Sequence, residues 1–150
     1  MIGKENGILY LIDGDTGGDK IREKLLKRGI SKDDIFSAKT TNLSAIEIED
    51  FIDPELLVES VNNIIKKHYS RSPSFEVSDF SSVARMADIE RKFRSRTKAK
   101  IQKVELAYEI LDTLSEDPKR SVLMQSRKSA FNKMAKAVLK RFESRRRVRS

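Results

Sequence analysis

The stretch Gly7 to Ile12 limits the fold more than any other part of the chain. Ile8-Leu9-Tyr10-Leu11-Ile12 is an unbroken apolar run that ends at once in Asp13-Gly14-Asp15-Thr16-Gly17-Gly18. A short run without polar alternation fits a strand covered on both faces, as in a parallel sheet flanked by helices. The turn formers behind it stop the strand. From Asp19 to Arg28, Ile21, Leu25 and Leu26 lie at helical spacing, and Gly29 is placed to end that helix. Asp34 to Ala38 reads as a second short strand. A strand–helix–strand order of this kind predicts an α/β fold with a parallel sheet.

The carboxylates at the end of the first strand suggest chemistry. Asp13 and Asp15 are two residues apart, so at a strand end both can turn toward one cation. Carboxyl ends of parallel strands are the usual place for sites in open α/β sheets. A plain solvated turn would use the same residue types. A calcium loop of the EF-hand kind is excluded, because its twelfth position, counted from Asp13, is Lys24 where a Glu is needed. An Asp-x-Asp after an apolar strand also occurs in haloacid-dehalogenase-like phosphatases, although the position where they carry a threonine is Gly17 here. A second acidic cluster, Glu47-Ile48-Glu49-Asp50, lies in the alternating stretch Ala45 to Phe51. In extended chain Glu47 and Glu49 share one face, and Ile48 points to the core. Four carboxylates would suit one or two hard cations.

Downstream of a polar loop, Lys39 to Ser44, the pair Asp53-Pro54 is an N-cap followed by proline at the first helical position. The helix it opens carries Leu57, Val61, Ile64 and Ile65 on one face, to about His68. Tyr69 to Ser82, with Pro73 and several serines, reads as a linker or surface loop. Three helical segments follow: Val83 to Arg96; a stripe of Ile101, Val104, Tyr108, Leu111 and Leu114 ended by Asp117-Pro118; and a stripe of Phe131, Met134, Ala135, Val138, Leu139 and Phe142. The expected organisation is therefore residues 1–68, a linker over 69–82, and a basic helical region over 83–150.

Composition narrows the chemistry. The chain has no cysteine and one histidine, His68, so thiolate and histidine zinc sites are excluded within one chain. Carboxylates would then be the metal ligands, which favours Mg²⁺ or Mn²⁺. No apolar run reaches the length of a membrane span, and the absence of cysteine and of a leader pattern fits the cytoplasm. The net charge of +8 is unevenly spread: residues 1–84 sum to −4 and residues 85–150 to +12. Arg91, Lys92, Arg94, Arg96, Lys98 and Lys100 form a dense basic run suited to the phosphate backbone of DNA. A solubilising surface would look similar, and apolar helix stripes could equally serve a homodimer.

Ile8-Leu9-Tyr10-Leu11-Ile12-Asp13-Gly14-Asp15, the glycines and helix after it, Glu47-Ile48-Glu49-Asp50-Phe51, Asp53-Pro54-Glu55-Leu56 and Val58-Glu59-Ser60-Val61-Asn62 together resemble the Toprim domain of OLD-family ATP-dependent endonucleases. The resemblance implies a partial Toprim-like parallel sheet followed by a C-terminal helical region. It implies that Asp13 and Asp15 are metal ligands joined by Glu47 and Glu49, with Asp13 and Glu49 acting in catalysis. Lys103-Val104-Glu105-Leu106-Ala107 is similar to a family segment whose lysine stabilises the scissile phosphate, which would be Lys103. The family's first strand, with its glutamate, and its ATPase have no counterpart here, and Glu5 in its polar segment does not stand in for that glutamate. The expectation is a Mg²⁺- or Mn²⁺-dependent endonuclease acting on DNA, or the Toprim part of one that needs an upstream portion or subunit. The competing expectations are a non-catalytic remnant that binds nucleic acid or a subunit, and a phosphatase.

Overall fold

The computed structural model describes residues 8–39, 46–69 and 73–147. The chain is mixed α/β and mostly helical. It divides into two compact units, Met1–Ile48 with Ser126–Ser150, and Glu49–Gln125.

The first unit is built on a strand–helix–strand. β1 (Tyr10–Ile12) and β2 (Ile35–Ser37) pair in parallel, with Tyr10 opposite Ile35 and Ile12 opposite Ser37. Between them runs α1 (Thr16–Lys27). Gly29, at φ +81°, follows the helix, and its N–H reaches Leu26 O while that of Ile30 reaches Leu25 O. Carbonyls left over by the last turn are thereby satisfied, in a conformation that only glycine adopts without strain. Ile12, Ile35, Ala38 and Ile46 are buried.

The expectation of a strand covered on both faces is not met. Among the described residues the sheet has two strands only, and Leu11, on the face opposite Ile12, is 44% exposed. α5 (Lys128–Arg147) is fastened by buried Asp34 at the start of β2, which takes Nε–H of Arg141 at 2.9 Å and also pairs with Arg145.

The second unit carries the large apolar core. α2 (Pro54–His68) starts as the sequence predicts: Asp53 Oδ1 accepts the N–H groups of Glu55 and Leu56 at 3.0 and 3.2 Å, and Pro54 needs no partner. Leu56, Leu57, Val58, Val61, Ile64 and Ile65 pack against Met86, Ile89 and Phe93 of α3 (Arg85–Thr97), and against Leu106 and Ile110 of α4 (Lys103–Glu116). Phe75 and Phe80, from the stretch read as a linker, complete this core. Asn62 clamps the Phe75 backbone from both sides, donating to its carbonyl at 2.8 Å and accepting its N–H at 2.7 Å.

Two local expectations are corrected. The alternating stretch before α2 does not extend as a strand; Ile48–Phe51 is a 3-10 turn in which Asp50, not an apolar side chain, is the most deeply buried member. Glu47 and Glu49 therefore do not share a face by strand alternation. The reason is that Asp50 accepts the N–H groups of Ala84 and Arg85, both at 2.9 Å, and caps α3, which has no side-chain cap of its own. On α4 the core face is Leu106, Ile110 and Thr113; Val104, Tyr108 and Leu111 face solvent. Among the described residues no helix is long and apolar enough to cross a membrane.

Candidate functional site

β1 delivers Asp13 to its carboxyl end, and the chain turns immediately into α1. Asp13 Oδ1 accepts the N–H of Ile48 at 2.9 Å, and Gly14 N–H donates to Ile46 O at 2.7 Å. The acidic segment is thus pinned beside the strand end by two hydrogen bonds, one to the Asp13 side chain and one to the Gly14 main chain, on either side of Glu47. Asp15 is the N-cap of α1, with Oδ1 accepting the Gly18 N–H at 2.7 Å.

Glycine is required twice in this turn. A Cβ on Gly18 would stand 2.0 Å from Asp13 O, and one on Gly14 would stand 2.8 Å from the Lys39 backbone. Each aspartate has one oxygen engaged by a main-chain N–H, and a carboxylate offers about four lone-pair sites, so both retain capacity for a cation.

The donor chemistry here is hard oxygen, which fits Mg²⁺ or Mn²⁺ held by one or two carboxylates with water and substrate oxygens. Among the described residues no group of three or more His, Cys, Asp or Glu side chains could hold a metal ion. Glu47 is half-buried. Glu49 belongs to the second unit, where its carboxylate accepts Lys103 Nζ at 2.8 Å. Lys103 is the first residue of α4, where a cation opposes the helix macrodipole at a cost of about 0.3–1 kcal/mol. Glu49 offsets that cost and fixes the ammonium.

The six basic residues of the α3 region separate into two sets. Arg91 and Lys92 pair with Asp88, and Lys92 also donates to Asp79 O. Burial pushes the Asp88 carboxyl up, but the Ser81 N–H and the two cations outweigh it and hold it below its usual range. Arg96 donates to Ser74 O at 2.8 Å and lies 3.7 Å over the Phe75 ring, and Lys98 donates to Ser95 O at 3.0 Å. These contacts are structural. Arg94 and Lys100 are exposed and have no partner among the described residues; with Ala87, Glu90 and Arg91 they line an open cavity of about 430 Å³.

Sequence reasoning singled out neither the Asp50 cap of α3 nor the Asp34 clasp on α5. An aspartate beside apolar residues carries no local sign of the distant main-chain or arginine partner that buries it. No family model, curated protein or solved structure matches this chain.

Proposed function

We propose that the chain is the Toprim part of a metal-dependent endonuclease of the OLD type, which cleaves phosphodiester bonds in DNA and is completed by an upstream portion or partner subunit. The observation that carries this reading is the Asp13-Gly14-Asp15 turn at the end of β1, with both carboxylates half-buried and oriented by main-chain N–H groups. Asp13 and Asp15 would hold Mg²⁺ or Mn²⁺, with Glu47 in the segment hydrogen-bonded to the strand end. Bound there, the cation would polarise the phosphodiester and supply a water nucleophile at neutral pH.

Lys103, paired with Glu49 inside the second unit, is the cation that the family resemblance assigns to the scissile phosphate. Arg94 and Lys100 would hold the DNA backbone without reading bases. The uncovered Leu11 face of the sheet is room for a covering layer, in keeping with a completing portion. A second reading, a non-catalytic module binding nucleic acid or a subunit, is favoured by the absence of a three-ligand group among the described residues.

The test is nicking of supercoiled plasmid by the purified chain with Mn²⁺, beside an Asp13→Asn/Asp15→Asn double variant. Asparagine keeps the acceptor oxygen for each N–H and removes the charge. Nicking by the parent chain alone supports the nuclease. Equal nicking by both places the chemistry elsewhere, and Mn²⁺-independent DNA binding by both without nicking favours the binding module.

A further inference from the structure

α4 buries Leu106, Ile110 and Thr113 and leaves Val104, Tyr108 and Leu111 at 70%, 66% and 60% exposure. Spaced four and three residues apart, these side chains form one row along the helix, with exposed Ala107 beside them. Single exposed apolar residues are ordinary, whereas an aligned row over two turns marks a surface that is covered by something. Helical spacing puts Glu105, Asp112 and Glu116 along one border of the row. In all, α4 holds four acidic residues against one lysine. Its occupant should therefore present an apolar edge bordered by cations.

α5 has that character. Leu139 and Phe142, three apart, are 60% and 42% exposed, with exposed Lys136 and Lys140 alongside. The helix carries eight cationic residues and one acid. Two α4 rows packed antiparallel on each other would bring their acidic borders together, which charge repulsion opposes. We propose that a second copy of this chain covers the α4 row with the Leu139/Phe142 edge of its own α5. Such a contact is heterologous, and its smallest closed form is a pair of copies that exchange it both ways. This inference stands apart from the nuclease reading.

Sedimentation equilibrium of the full chain tests it, with far-UV circular dichroism as the check on folding. The expected result is a dimer that weakens as salt is raised. Leu111→Glu and Leu139→Glu should each raise the dissociation constant at least about thirtyfold, the scale of losing a central apolar anchor. Both positions are exposed, so helix content should stay unchanged. A monomer throughout overturns the proposal, as does a dimer indifferent to Leu111→Glu. A dimer sensitive to Leu111→Glu but not to Leu139→Glu overturns the assignment to α5. Neither variant touches Asp13 or Asp15, so plasmid nicking is read separately.

Discussion

Asp13 and Ile48 lie 35 residues apart in sequence and meet through one hydrogen bond, 2.9 Å from the Ile48 N–H to Asp13 Oδ1. The bond gives Asp13 a structural task beside the chemical one proposed for it. Asp13→Ala should therefore lose about 1.5–3 kcal/mol of stability, as for a hydrogen bond to a charged group. Asp13→Asn should lose much less while abolishing Mn²⁺ binding. Urea unfolding and calorimetric Mn²⁺ titration separate the two effects.

Ala84 sits at φ +51°, a left-handed conformation that costs a residue with a Cβ about 1–2 kcal/mol. Ala84→Gly should raise the urea midpoint, corresponding to about 1 kcal/mol. Gly18→Ala should do the reverse and more strongly, because its Cβ would meet Asp13 O at 2.0 Å. A neutral result at Gly18 would contradict the close approach of the turn to α1.

Asp50 is fully buried and accepts two main-chain N–H groups at the start of α3. Asp50→Ala leaves both donors unsatisfied and should cost about 3 kcal/mol or more. Asp50→Asn should fall between, since its amide oxygen can still accept. Hydrogen exchange at Ala84 and Arg85 would report the loss directly.

Two charged pairs give opposite pH signs. Asp88 is held below the ordinary aspartate value of 3.8, so its contribution is complete above that value and disappears as pH falls through the depressed folded pKa. Asp88→Asn should lower the neutral-pH midpoint and flatten the strongly acid limb of the stability curve. Lys67 is raised above 10.5, chiefly by its hydrogen bond to Glu109, so its contribution is complete below that value and is lost at still higher pH. Lys67→Met should therefore lower the neutral-pH midpoint and flatten the alkaline limb.

Under the nuclease proposal, DNA affinity should divide the basic residues by whether they have partners. Arg94→Ala and Lys100→Ala should each reduce the slope of log affinity against log salt by about 0.9 while leaving thermal stability alone. Arg96→Ala should lower stability through loss of its Phe75 stack and carbonyl contacts. Fluorescence anisotropy over a salt series, paired with thermal melts, checks both.

Elements whose signals are local could be read from the residues alone. Asp53-Pro54 starts α2 and Gly29 closes α1, because a cap oxygen, a fixed proline φ and a glycine's freedom at positive φ act within a few residues. The Asp13-Gly14-Asp15 turn was legible for the same reason, as were two short strands and the three helices after the region of residue 80. Tertiary structure alone decided what depends on a distant partner. Val104, Tyr108 and Leu111 are spaced as well for burial as Leu106, Ile110 and Thr113, so periodicity could not choose between two apolar faces of α4. Docking on α2 chose, with Lys67 meeting Glu109 on the buried side. Extended chain was a fair expectation around Glu47 and Glu49 until Asp50 turned inward to cap α3. A carboxylate's hydrogen bond to an N–H group 34 residues away leaves no trace in the residues beside it, and such bonds form only once the chain has folded back on itself.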